Sequence, residues 1–364
     1  MLKNEKGNNT MSIASEVFNA YGIPAELIPF GNGHINDTYV SGDYVIQRIN
    51  TSVFKDPGKL MENIILVTSF LQKKLKSMGM DSERGTLNLL YTKDGKSYYT
   101  SSDGAAYRVC KLIKNTVSYD KITPELLEKA AYGFGFFQRL LADFDSSALH
   151  ETIPDFHNTP KRYCALMEAA DLDPLGRCSL IKEELDYISS AKDELSVVTD
   201  ALANKALPWR VTHNDTKINN VLLDKDSGEF VAVIDLDTVM PGSLLYDYGD
   251  AVRSGANTAK EDEADLSLVG LDFENVRAFT KGFLTSIGNY ITPKETELLP
   301  FSVRLLALEL SIRFLTDYIM GDTYFKTSRE GQNLDRARCQ LRLAQVVQEN
   351  MDELKEIVRA CAKK

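Results

Sequence analysis

The 364-residue sequence predicts an α+β protein, and three observations carry that prediction. Hairpin signals crowd the first hundred or so residues. Helical periodicity takes over from about residue 118. The helical part is interrupted once, by VTHNDTKINNVLLD and then FVAVIDLDTVMPG, two short β-rich runs with polar loops between and after them. Segregated strands and helices of this kind make an α+β architecture.

The elements follow in order. Residues 12–21 read as a helix entering a turn at Gly22 and Pro24. FGNGHINDTYV and YVIQRIN, punctuated by Gly42-Asp43, read as a hairpin. Leu60, Ile64, Val67, Leu71 and Leu75 fall at helical spacing over 59–77. LNLLYTKDGKSYYT predicts a second hairpin turning at Asp94-Gly95, and AAYRVCKLI follows another turn at Asp103-Gly104. Thr123 is an N-cap with Pro124 at the first helical position of PELLEKAAYGFGFFQRLLADF. Further helices are expected near 160–170, 181–204, 272–288, 293–320 and 332–361. The resulting order is a small strand-rich lobe over 1–114, a connector near 112–118, and a large, mainly helical lobe over 115–364.

The net charge of −10 argues against nucleic acid as the main partner, because a phosphate backbone needs clustered Lys and Arg. It leaves room for a nucleotide, which needs only a few local cations. The five cysteines are widely spaced and form no C-x-x-C pair, which fits buried thiols in a reducing compartment. The four histidines lack metal-ligand spacing. MLKNEKGNNTMS has no apolar core of the signal-peptide kind, and no run of about 18 apolar residues occurs, so a cytoplasmic protein without membrane contact is expected.

Chemistry concentrates in His213-Asn214-Asp215-Thr216-Lys217-Ile218-Asn219-Asn220, followed by Ile234-Asp235-Leu236-Asp237. Lys217 lies two residues after Asp215, Asn220 five and Asp235 twenty. This spacing resembles the protein-kinase catalytic loop and the Asp that follows it to bind magnesium. Phosphoryl transfer needs positioning and charge neutralisation more than covalent help. Asp215 can orient an acceptor hydroxyl and take its proton, and Lys217 can sit on a γ-phosphate. Asn220 and Asp235 offer hard oxygens to Mg²⁺, which takes few protein ligands beside phosphate and water. His213 is read as holding the loop backbone.

Longer stretches extend the likeness: GNGHINDTY, QRINTSVF, YRVCKLIKNTVSYD, HETIPDFHNTP, RVTHNDTKINN, VIDLDTVMPGSLLYDYGD, ELLPF and RFLTDYIMGDTYF. From about residue 28 to its end the sequence resembles the N-acetylhexosamine 1-kinases, within the aminoglycoside phosphotransferase and choline kinase superfamily. The resemblance implies a bilobal protein-kinase-like fold, with the nucleotide in the first lobe and catalysis and sugar binding in the second. It implies ATP and Mg²⁺ as cofactors, Asp215 as base, and Asn220 and Asp235 as metal ligands. It also implies a sugar gripped by His34, Thr238, Arg313 and Tyr324, beside Asp215. Asp237 either supports the metal or acceptor or bonds backbone in its turn, and Asp247 of YDYGD braces the catalytic loop.

The sequence departs from the general kinase pattern in one place. The strand that usually carries a phosphate-binding lysine reads YVIQRIN, with Gln47 and Arg48 instead. Strand alternation puts these two on opposite faces; family position favours Gln47 and charge favours Arg48. The adenine is expected against the connector, at the backbone of Leu112 and Lys114. Two other readings stand beside a sugar 1-kinase. One is a kinase of the same fold acting on an aminoglycoside, choline or another sugar. The other is a catalytically silent nucleotide-binding module, against which the presence of Asp215, Lys217, Asn220 and Asp235 speaks.

Overall fold

The computed structural model describes residues 15–24, 27–30, 36–119 and 123–363. The chain divides into two compact units. The first comprises Met1–Val117, Ser147–Pro154 and Leu222–Met240. The second comprises Ser118–Ser146, Asp155–Val221 and Pro241–Lys364.

The first unit is built on an antiparallel sheet of six strands: β1 (Ile28–Pro29), β2 (Asp37–Ser41), β3 (Tyr44–Ile49), β4 (Leu89–Leu90), β5 (Tyr99–Thr100) and β6 (Ala106–Lys111). β2 and β3 form the expected hairpin, with Gly42 at φ 56° in the turn, a left-handed conformation that glycine adopts without a Cβ clash. β3 runs antiparallel to β6, with Gln47 directly opposite Arg108. The second predicted hairpin is corrected. The turn at Asp94-Gly95 forms, closed by Gly95 N–H to Thr92 O at 2.8 Å, but the strands on its two sides do not pair with each other. β4 and β5 both pair with β6, because the two-residue runs left beside the turn find a longer partner in β6.

The helix Pro57–Ser77 packs its buried stripe of Leu60, Ile64, Val67, Leu71 and Leu75 inward. Asp56 caps it by accepting from Lys59 N–H at 3.1 Å; such caps are worth about 1 kcal/mol. Buried Asn63 on this helix donates to the carbonyls of His150 (2.8 Å) and Val239 (3.0 Å) and accepts from His150 N–H (2.8 Å). It thereby ties two chain-distant segments into the unit. Strand Val221–Asp224 is flanked by Phe230–Val233 and by Thr116–Val117.

The second unit is helical. Helices Pro124–Leu140 and Phe273–Ile287 cross closely because Gly135 and Gly282 face the partner's backbone, where a Cβ would collide with Phe283 and Glu128. Helix Pro293–Ile319 begins in a full capping box, Thr292 and Glu295 each bonding the other's backbone. It runs through the core with Leu299, Leu306, Ile312 and Leu315 fully buried. Two predicted helices are broken. The 181–204 stretch is Lys182–Ser190, a 3₁₀ turn Lys192–Glu194 and Val197–Ala203, and the 332–361 stretch divides at Asn350. Helix Leu244–Gly255 was not anticipated, since its Asp and Gly residues hide its period. Among the described residues no helix is long and apolar enough to cross a membrane.

Candidate active site

In the second unit the catalytic-loop motif leaves strand Arg210–Thr212 and turns at Asn214, whose φ is 63°. The turn is built around Asp247, near the start of helix Leu244–Gly255. One carboxylate oxygen accepts from His213 N–H (2.9 Å) and the Gln138 amide (2.7 Å), and the other accepts from Asn214 N–H (2.8 Å). Thr216 donates to the Asp247 carbonyl at 2.8 Å. Burial pushes the Asp247 carboxyl upward, and the neighbouring His213 and these hydrogen bonds offset that only in part. His213 is fully buried, edge-on to Phe134 and Phe137, and its Nδ1 accepts from Asp215 N–H at 3.2 Å.

This scaffold brings three of the predicted residues together. Asp215 Oδ1 pairs with Lys217 Nζ at 2.9 Å. Asn220 Nδ2 donates to the Asp215 carbonyl at 2.8 Å and to Oδ2 at 3.2 Å. The nitrogen end of the Asn220 amide is therefore engaged, and its oxygen is the end suited to a hard cation.

The same unit holds a second polar cluster, and its central His157–Glu309 pair was not visible in the sequence. Glu309, fully buried on helix Pro293–Ile319, accepts from His157 Nδ1 (2.7 Å) and Thr159 Oγ1 (2.6 Å). Burial works against its ionisation, but His157, Arg313 and the two hydrogen bonds outweigh it and hold the carboxyl below the usual range. His157 stacks on Tyr246 at 4.7 Å, lies edge-on to Phe156, and has a buried Nε2 without a hydrogen-bond partner. Arg313 lies over the rings of Phe156 (5.2 Å) and Phe325 (5.5 Å). Tyr324, 62% exposed, sits on a segment that buried Asp317 anchors by accepting the N–H groups of Thr323, Tyr324 and Phe325. Asp250 lies within electrostatic range of both His157 and Lys217, so the two clusters are electrostatically linked. Burial opposes its ionisation, yet Arg253 at 2.6 Å holds its carboxyl low. The available signal was HETIPDFHNTP, but His157 and Glu309 are 152 residues apart, and spacing cannot pair them.

In the first unit Asp235 takes a left-handed conformation (φ 59°) ahead of the 3₁₀ turn Leu236–Thr238. Asp237 and Thr238 are buried in that turn. Asp237 forms an ion pair with Arg108 and accepts from Asn36 Nδ2 at 2.6 Å. Gln47 is engaged at both ends of its amide: its oxygen accepts from Arg108 Nε (3.0 Å) and Nη2 (2.8 Å), and its nitrogen donates to Thr38 Oγ1 (3.2 Å). Arg48 is half-exposed, 3.8 Å from Asp37. Leu112 N–H donates to Asp43 O at 2.8 Å, and Lys114 pairs through its side chain with Asp43 at 2.7 Å. His34 lies outside the described residues. No group of three or more His, Cys, Asp or Glu side chains among the described residues forms a ready metal cage. Mg²⁺ held mainly by phosphate and water does not require one.

A model of the phosphotransferase enzyme family matches residues 89–279, more than half of the chain, including the whole stretch from His213 to Asp250. Among solved structures, an aminoglycoside phosphotransferase from Alicyclobacillus acidocaldarius is 15% identical, with 95% of this chain and 96% of that one covered and a TM-score of 0.62. A microcompartment-associated aminopropanol kinase is 14% identical, with 94% and 98% covered and a TM-score of 0.61. A spectinomycin phosphotransferase in complex with ADP and spectinomycin is 14% identical, with 97% and 98% covered and a TM-score of 0.54. The chain belongs to the phosphotransferase enzyme family and has the kinase-like fold of the aminoglycoside phosphotransferases.

Proposed function

We propose that the protein transfers the γ-phosphoryl group of ATP to the anomeric hydroxyl of an N-acetylhexosamine. Asp215 accepts the hydroxyl proton as the new O–P bond forms and the bond to the ADP oxygen breaks, while Lys217 neutralises charge on the γ-phosphate. When bound with the nucleotide, Mg²⁺ supplies further neutralisation, and Asn220 and Asp235 are the residues that would hold it. His34, Thr238, Arg313 and Tyr324 bind the sugar, and residues 1–114, with Leu112 and Lys114 at the connector, bind the nucleotide. ADP in the spectinomycin phosphotransferase supports a nucleotide donor.

One observation carries the choice of acceptor. Each carboxylate in the two linked clusters already has its own partner: Asp215 has Lys217, Asp250 has Arg253, Glu309 has His157, and Asp317 has backbone N–H groups. Cationic acceptors such as aminoglycosides or choline need uncompensated carboxylates. Here the additional charges are Arg313 and Arg162, and burial first, then the nearby Arg313, depress the Arg162 guanidinium pKa. Such a surface suits an uncharged, hydroxyl-rich ligand with apolar faces for aromatic rings.

The test is ADP release with Mg²⁺–ATP and a panel of GlcNAc, GalNAc, glucose, an aminoglycoside and choline, with products assigned by phosphorus NMR. A sugar 1-phosphate from GlcNAc or GalNAc is expected. Turnover of the aminoglycoside or choline in preference to both sugars would overturn the reading.

A further inference from the structure

The unfilled place in the nucleotide-binding half is the lysine that kinases keep on the strand preceding the first long helix. β3 has no lysine, and neither of its candidates is placed to replace one. Arg48 is about half-exposed and turned toward Asp37. Gln47 already bonds at both ends of its amide.

Directly across the sheet, in register with Gln47, stands Arg108 on β6. Opposite residues of an antiparallel pair project from the same face, so Arg108 presents its head where a lysine at 47 would. Its side chain is 2% exposed. Gln47 takes Nε and one Nη2 hydrogen, Asp237 takes the Nη2 side through the ion pair, and Nη1 is buried with no hydrogen-bond partner. Nη1 carries two N–H groups in the fixed plane of the fork. Asp235, two residues before Asp237, lies within electrostatic range of the same guanidinium.

We propose that Arg108 is the cation for the nucleotide's α- and β-phosphates, with Gln47 and Asp237 as positioning residues that fix its fork and leave Nη1 for a phosphate oxygen. The glutamine at 47 then has a physical reason. A lysine there would set a second cation against Arg108, whereas the amide oxygen accepts two of its N–H groups. The inference rests on the ATP-donor reading of the site but not on the identity of the acceptor.

The experiment is calorimetric titration of the full chain with ADP, AMP and adenosine, each with Mg²⁺ and without any acceptor. The wild type should bind ADP more tightly than adenosine. The Arg108→Met/Asp237→Asn double variant removes both buried charges together, and should keep adenosine affinity while losing about 10-fold or more of the ADP preference. Adding Gln47→Lys to that double variant restores a cation at the kinase position and should recover part of the preference. Arg108→Lys keeps a charge for Asp237 without the fork, and should weaken ADP by about 3- to 10-fold, with adenosine unchanged. A folded double variant with full ADP preference, or Arg108→Lys with unaltered ADP binding, would overturn the proposal and leave Arg108 a purely structural ion pair. A wild type that binds no nucleotide would instead overturn the donor reading beneath it.

Discussion

Asp247 and Asp237 are both buried aspartates, 2% and 3% exposed, and each organises a motif of the expected chemistry by opposite means. Asp247 is met by two backbone N–H groups and a glutamine amide. Asp237 is met by a guanidinium and an asparagine amide. The difference follows from what each must hold. The loop around Asp215 has to be fixed in its backbone, and hydrogen bonds from successive peptide N–H groups do that without adding a competing cation. The turn containing Asp237 holds a cation in place, which calls for a full countercharge.

The sharpest way to break the comparison is to change Asp215, the proposed base on the loop that the first scaffold holds. Asp215→Asn should lower turnover by about 10²-fold or more, in line with general-base contributions, while unfolding free energy changes by less than about 0.5 kcal/mol. Steady-state kinetics beside urea unfolding measures both. Near-normal turnover would mean that Asp247 braces a loop without a base.

The two aspartates should also differ when each is neutralised. Asp237→Asn leaves the buried Arg108 charge uncompensated and should cost about 3–5 kcal/mol. Asp247→Asn keeps some acceptor capacity but turns an N–H₂ toward donors, and should cost about 1–3 kcal/mol. Urea melts of the two variants check the order, and a larger loss at Asp247 would reverse the account.

What the sequence disclosed follows the same division. The residues from His213 to Asn220 are consecutive, so a catalytic-loop reading could be proposed from spacing, with Asp235 at a fixed distance beyond them. The pairing of Arg108 with Gln47 and Asp237 was hidden, because a single arginine in the apolar run YRVCKLI is indistinguishable by pattern from an edge residue until its register with Gln47 is known. His157 and Glu309 were hidden by their separation along the chain. The helix that carries Asp247 was not legible, since Leu244–Gly255 owes its stability to burial rather than propensity. The separate pairing of β4 and β5 with β6 is likewise a tertiary choice that the turn signal at Asp94-Gly95 could not decide.

A third test addresses the second cluster. If His157 Nε2 serves the acceptor, His157→Gln should raise the acceptor KM by about 10-fold, equivalent to about 1.4 kcal/mol, and leave the ATP KM unchanged. An equal rise in both, or in neither, would remove His157 from acceptor recognition.

The smallest effect, and the most direct reading of the two kinds of carboxylate environment, is pH dependence. Asp247, satisfied by N–H donors and raised by burial, binds its proton more tightly folded than unfolded. Its contribution to stability is therefore fully present below the usual aspartate range and is lost as pH rises through the higher folded value. Glu309 is the reverse. Burial opposes its charge, but His157 and Arg313 prevail, so the folded carboxyl titrates below its ordinary range. Its contribution is present above the usual glutamate range and is lost as pH falls through the depressed value. Unfolding free energies measured from the acid range to neutrality should consequently change slope in opposite senses. Glu309→Gln removes a component that rises with pH, and Asp247→Asn removes one that falls. Parallel changes in the two variants would mean that both carboxylates answer to burial alone and that the His157 and Arg313 charges do not reach Glu309.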